Sequence, residues 1–236
     1  IDLKGEMQDS LRTMFGIHGI HTYSWKFHKI CEAFKTPGRP IFVYMPYVQG
    51  AGVYALGACL QFSGLSLFTH SEGIFEGVGG KASDFCASTS KEEKRVKESF
   101  LATLRRGDVY YAVLTPDTSK PLRSAIMEVF YSKENMYGGL IRGIIVSRVG
   151  RDGISVNNVT EAFFPYSEYN FSALHQGMSR IMRATSFVEL RKTLPPGQRV
   201  KVSMHLMCSL YSKLNEEGKV VVDATYERDA YTIAFQ

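Results

Sequence analysis

Apolar and polar positions change period several times along this chain of 236 residues, and each change marks an element. Ile41-Phe42-Val43-Tyr44-Met45 is a continuous β-branched and aromatic run that follows Pro37-Gly38-Arg39-Pro40, the pattern of a strand buried on both faces. Gln49-Gly50-Ala51-Gly52 interrupts it, and a small-residue helix pattern then runs from Val53 to Phe62, with Leu56 and Leu60 four apart. A second strand is predicted over Val109 to Thr115. It leads through Pro116-Asp117-Thr118-Ser119 into a helix from about Pro121 to Phe130, where proline suits the first helical position. Leu140 to Ser147 is a third strand and Ala162-Phe163-Phe164 a short fourth. Strands alternating with helices predict an α/β fold, a mostly parallel sheet with helices on both faces.

Two stretches depart from this rhythm. Between about residues 69 and 107 a glycine-rich run, Glu72 to Gly80, precedes a capped, charged helix pattern from Ser88 to Leu104. It reads as an insertion between core strands, either a solvated excursion or part of a grip on nucleic acid. After Pro195-Pro196-Gly197 come two further strand-like runs, Val200 to Cys208 and Lys219 to Ala224, which either complete the sheet or continue into a region beyond it. The expected organisation is one domain over 1–194 and a C-terminal extension over 195–236.

The chemistry gathers between residues 141 and 183. With Leu174 to Ala184 helical, Gln176, Arg180 and Arg183 stand at i, i+4 and i+7 on one face, and Leu174, Met178 and Ile181 on the other. Paired guanidinium groups suit a triphosphate, since each planar fork donates bidentate hydrogen bonds and stays charged; the plainer alternative is a solvated basic face. In a parallel sheet ligands sit beyond the carboxyl ends of the strands, so the loops after Met45, Thr115 and Ser147 are expected to converge on one edge. Gly150 and Gly153 let the backbone turn tightly and present N–H groups to phosphate oxygens. Ser147, Ser155, Thr115 and Thr118 offer hydroxyls, the last two toward a nucleic-acid backbone. Tyr44, Tyr47 and Trp25 can stack on bases; Tyr44 reads as core, and Tyr47, beyond its strand, stays open between the two roles.

Composition adds limits. A net charge of +5 favours an anionic partner, although 28 basic against 23 acidic residues is a small excess. Cys31, Cys59, Cys86 and Cys208 lie far apart, so neither a zinc site nor a disulfide framework is expected, and reduced intracellular thiols are the default. The six histidines include no H-E-x-x-H, and no metal site is expected. No apolar run reaches the roughly 18 residues of a membrane span. The first residue is not methionine, so the chain is expected to be part of something longer.

Five ordered blocks carry a resemblance: Val43-Tyr44-Met45 with Gly50-Ala51-Gly52; Leu114 to Ser119 with Arg123; Phe130 to Asn135; Ile145 to Ile154 with Asn158-Val159; and Gln176, Arg180 and Arg183 to Ser186. Together, over roughly residues 20 to 190, they resemble the C-terminal, RecA-like motor lobe of superfamily-two helicases. The nearest likeness is to the nucleoside triphosphatases and early-transcription-factor helicases of large nucleocytoplasmic DNA viruses. The resemblance implies that Gln176, Arg180 and Arg183 match the sixth motif, whose arginines reach the γ-phosphate, with Arg183 as arginine finger. It implies that Ser147 to Ile154 match the fifth motif, with Gly150, Asp152 and Gly153 toward the nucleotide. Ser147, Arg148, Thr115, Thr118 and Tyr47 then fall on the nucleic-acid side. One departure is Ser179, where the family usually has a close-packed glycine.

No G-x-x-x-x-G-K-[ST] phosphate loop or acidic metal-holding motif occurs in the sequence. The resemblance therefore implies that ATP and Mg2+ are bound mainly by an N-terminal lobe, and that this chain alone does not hydrolyse ATP. Implied partners are that lobe and nucleic acid, DNA before RNA; the implied location is intracellular, host cytoplasm or virion. The alternative function is a non-catalytic interaction module with the same fold. A free-standing Rossmann-type transferase would need a G-x-G-x-x-G after its first strand, and none is found there.

Overall fold

A computed structural model describes residues 5–68, 109–118, 120–148, 154, 156–166, 171–183, 186–207, 211–214, 217 and 219–223. The insertion expected at 69–107 lies outside them. Six strands form one sheet: β1 Ile41–Met45, β2 Ser66–Leu67, β3 Tyr110–Leu114, β4 Ile141–Ser147, β5 Glu161–Phe164 and β6 Ser203–Leu206. Their order is β2-β3-β4-β1-β5-β6 and every pairing is parallel. The strand-like run after Pro195-Pro196-Gly197 thus supplies the sheet's edge strand. A separate antiparallel ribbon pairs β7 Tyr211–Leu214 with β8 Val220–Asp223.

The alternation along β1 explains the layering. All five of its residues are buried, as expected of a central parallel strand. Ile41, Val43 and Met45 pack with Ile30, Phe34, Leu56 and Leu60 from α3 Trp25–Lys35 and α4 Val53–Phe62, alongside Ile20 of α2 Ile20–Tyr23. Phe42 and Tyr44 point the other way. They meet Ile126, Val129 and Phe130 of α5 Lys120–Tyr131, Ile181 of α6 Phe171–Ile181 and Leu190 of α7 Val188–Lys192. A first helix, α1 Gly5–Phe15, precedes these. The result is a three-layer, RecA-like α/β arrangement.

Two residues set how closely β4 can lie. A Cβ on Gly143 would stand 2.7 Å from Phe34 Cζ and 2.8 Å from the Ile41 carbonyl oxygen, so only glycine lets α3 press on β4 beside β1. Asn135 fixes the start of the same strand. It closes a short 3-10 turn, Lys133–Asn135, after α5, and its side chain accepts from the N–H groups of Leu140 (3.0 Å) and Ile141 (2.9 Å). Its Nδ2 donates to the carbonyls of Phe130 (3.3 Å) and Ile141 (3.1 Å).

Candidate functional site

Register brings three strand ends together. Tyr44 lies opposite Val146 and Met45 opposite Ser147, while Leu114 lies opposite Val146 from the other side. Thr115, Ser147 and Met45 therefore leave the sheet side by side, the convergence expected of a parallel sheet. The hydroxyls behave differently from expectation. Thr115 is 3% and Ser147 1% exposed, so both sit within the rim instead of on it. Thr118 Oγ1 accepts the Thr115 N–H (2.9 Å) and donates to the Val113 carbonyl (3.2 Å), which commits its proton to closing the turn. Exposed on the rim are Arg148 just past β4, Pro116 and Asp117 after β3, and aromatic side chains.

The loop after β1 folds back to start α4. Gly50 has φ of 61°, and a Cβ on Gly52 would lie 2.3 Å from the Tyr47 carbonyl oxygen. That close approach lets Tyr47 and Val48 accept from the N–H groups of Val53 (2.9 Å) and Tyr54 (3.2 Å), so the helix start is satisfied by backbone and Gly52 makes no side-chain cap. Tyr47 is left 54% exposed, whereas Tyr44 is fully buried. Tyr54 donates to Asp117 Oδ2 (3.1 Å), tying α4 to the loop after β3; that hydrogen bond, ahead of desolvation, raises the phenol pKa. Trp25 is exposed and carries the Lys29 ammonium 5.9 Å from its ring centroid.

The arginine-bearing segment is shorter than its periodicity suggested. α6 ends at Ile181, not Ala184, so Arg183 lies in the turn beyond it. The Met182 N–H still reaches the Met178 carbonyl (3.2 Å), and the Ser186 N–H closes onto the Arg183 carbonyl (2.9 Å). The helix stops because the chain must turn there to bury Phe187 and Leu190 in the core. Gln176 and Arg183 are exposed, and Ile181 and Gly177 are buried. Arg180 lies on α6, its side chain outside the described residues. Ser179 is partly exposed and donates to the Gln176 carbonyl (2.9 Å). The close-packed position is instead Gly177, where a Cβ would meet Phe164 Cε1 at 3.3 Å and Tyr44 Cγ at 3.9 Å.

Gly150, Asp152 and Gly153 lie outside the described residues. The chain that returns from them does not. Ile154, Val156 and Val159 are buried, and Asn158, at φ of 60°, donates its N–H to the Ser186 carbonyl (2.8 Å). This bond joins the segment following Gly153 to the turn that carries Arg183. Asn158 precedes β5, so the turn carrying Arg183 lies toward the starts of the strands, at the opposite end of the sheet from the rim, and the two regions that the sequence suggested as one edge are separate. Among the described residues, no three His, Cys, Asp or Glu side chains group to hold a metal ion, and no helix is long and apolar enough to cross a membrane.

No family model matches the chain. It is 28% identical over 194 residues to "Putative helicase 087L" of Invertebrate iridescent virus 3, covering 80% of this chain and 16% of that protein. It is 25% identical over 189 residues to "Putative ATP-dependent RNA helicase R563" of Acanthamoeba polyphaga mimivirus, covering 79% of this chain and 26% of the relative. The chain is homologous to helicases of large DNA viruses. The likeness is to the C-terminal, RecA-like lobe of superfamily-two helicases, and the chain spans only about a quarter or less of those relatives. The chain is also similar to a solved structure of the C-terminal part of the Fun30 ATPase domain, over 83% of this chain and 47% of that one at 13% identity, with a TM-score of 0.36. The sequence pattern does not single out Tyr166, whose ring meets that of Tyr47 at the rim, or Lys26, which lies against Tyr166; an aromatic two residues past each of two adjacent strand ends is the available signal.

Proposed function

We propose that this lobe works in an ATP-driven nucleic-acid translocase or helicase, with Arg183 as arginine finger, Arg180 and Gln176 beside it, and the strand-end rim as part of the nucleic-acid track. The observation that supports it best is the Asn158–Ser186 bond, which holds the segment following Gly153 against the turn bearing an exposed Arg183. Gly150, Asp152 and Gly153 are proposed to approach the nucleotide on that side. The donor set, guanidinium with a carboxamide, fits phosphate oxygens and not a cation; holding Mg2+ therefore falls to carboxylates of an N-terminal lobe. ATP bound there supplies the phosphoanhydride whose cleavage drives movement. Arg183 stabilises the charge that develops on the transferred group, and Gln176 orients next to it.

On the track, Arg148 and Tyr47 are proposed as the outward contacts, with Ser147, Thr115 and Thr118 shaping the backbone that carries them. The mimivirus relative's name specifies RNA, while the resemblance to viral DNA-dependent triphosphatases favours DNA; competition between matched DNA and RNA strands decides. Residues 1–194, with their insertion, are proposed as the lobe, and 195–236 as an extension whose first strand completes the sheet. The lobe is proposed to act inside the cell and to be inactive without its partner.

In the full-length protein Arg183→Ala should lower kcat by about 10³ or more, as removal of arginine fingers does elsewhere. Because Arg183 is exposed, the melting temperature should stay unchanged. A loss of turnover below about tenfold would remove Arg183 from this role and favour the interaction-module reading.

A further inference from the structure

Two tyrosines and a lysine meet where β1 and β5, neighbours in the sheet, both end. Tyr47 stands two residues past β1 and Tyr166 two residues past β5, with ring centroids 5.4 Å apart and planes at 86°. Tyr166 is held by two contacts, one of them itself anchored. Its hydroxyl donates to the Ala51 carbonyl in the loop before α4, the Lys26 ammonium lies 5.8 Å from its ring centroid, and Lys26 also donates to the Pro165 carbonyl at 3.0 Å. Tyr47 leans edge-to-face on this anchored ring while more than half of it, 54%, faces solvent. Burial pushes the Tyr166 phenol pKa up, in keeping with a ring set into the rim.

Core packing does not account for such an arrangement. A tyrosine recruited for burial would turn inward, as Tyr44 does in the strand leading to it. Here a rigid second ring holds the exposed one upright at low entropic cost, beside a cation, on the edge proposed above to carry nucleic acid. A preorganised aromatic face next to positive charge suits an unpaired base, whose π-face it can stack on without regard to sequence.

We infer that Tyr47, braced by Tyr166 and Lys26, is a stacking site for a base of single-stranded nucleic acid. The inference rests on the proposed track and adds to it a contact with base in place of phosphate. The full-length protein is titrated against a short fluorescent oligothymidylate and against an abasic strand with the same number of phosphates, at fixed salt. The intact strand should bind roughly tenfold more tightly, the scale of one stacked base. Tyr47→Ala should remove most of that difference, weakening the intact strand far more than the abasic one, while Tyr47→Phe, which keeps the ring, should preserve it. An unaltered far-UV circular dichroism spectrum shows that the variants fold. Equal binding of the two strands by the unmodified protein, or equal weakening of both by Tyr47→Ala, overturns the stacking site and leaves a phosphate track standing. Failure of both strands to bind overturns the track and the stacking site together.

Discussion

Removing the Asn135 side chain should destabilise the lobe more than changing any exposed residue of the candidate site. The carboxamide is fully buried and uses two acceptor and two donor positions: it takes the N–H groups of Leu140 and Ile141 and gives to the carbonyls of Phe130 and Ile141. In Asn135→Leu all four backbone groups lose that partner in a place where leucine's bulk excludes water. At about 1 kcal/mol net for each bond, the loss is about 4 kcal/mol, with more possible because an orphaned buried group costs about 1–3 kcal/mol. Set against a total stability of roughly 5–15 kcal/mol for a domain, this is a large fraction. Urea unfolding followed by circular dichroism should show the midpoint lowered by more than about 1 M at an unchanged slope, given slopes of about 1–3 kcal/mol per M. Asn135→Ala should fall between leucine and the unmodified chain, since a water can enter the vacated space. A loss below about 1 kcal/mol in the leucine variant would refute the reasoning. It would mean that the backbone relaxes and re-pairs these groups locally, and that Asn135 does not hold the end of α5 to the start of β4.

Gly143→Ala should cost about 1–3 kcal/mol through overpacking against Phe34 and the Ile41 carbonyl, and a second change, Phe34→Leu, should recover part of it. Thermal melts of the single and double variants check this, and additive losses would count against the contact. Cys31 and Cys59 are buried thiols whose pKa values are pushed up, to about 12 and about 11, chiefly by desolvation. Their folded-state pKa values exceed the unfolded value of 9.0, so the associated stability is complete below pH 9 and declines as pH rises toward 11 and 12. With Cys86 and Cys208 replaced by serine, a disulfide reagent at pH 8 should label neither thiol until urea is added; rapid labelling of the native chain would contradict the burial.

How much of this was legible depends on whether the signal was period or direction. β1 and α4 were read with their observed ends because an unbroken β-branched run and a four-residue leucine spacing leave little choice once glycines bound them. α3 passed unread although Phe27, Ile30, Cys31 and Phe34 recur at helical spacing behind Ser24, whose hydroxyl accepts the Phe27 N–H at 3.3 Å. The two residues of β2 are too few to carry any period. Side-chain direction was harder. Thr115 and Ser147 are at the expected edge, but the pleat turns them inward, and no alternation pattern distinguishes a hydroxyl that faces phosphate from one that seals a turn. The helix carrying Gln176 was legible, and its end was not, because what ends it is the tertiary demand to bury Phe187 and Leu190. Tyr166 could not be paired with Tyr47 without knowing that β5 lies beside β1.

The separation of Arg183 from the strand-end rim bears on how such a lobe could transmit force. Were both at one edge, nucleotide and nucleic acid would compete for the same loops. Instead, the described residues leading from one toward the other form two packed sets. In one, β1 ends at the loop of Tyr47 and carries Tyr44, whose ring lies 6.0 Å from that of Phe164 and against Gly177 of α6, the helix that leads to Arg183. In the other, β4 ends at Ser147 and Arg148, and the chain returns through buried Ile154, Val156 and Val159 to Asn158, bonded to the Ser186 carbonyl. Close-packed interiors shift between discrete arrangements and do not deform gradually. A displacement of the Arg183 turn on closing against a partner lobe would therefore be passed to the rim through α6 and through the Asn158 segment together. The small residue at 177 matters in that scheme because a Cβ there would stand 3.3 Å from Phe164 Cε1, so a larger side chain would press on Phe164 and disturb the first set while leaving the second intact.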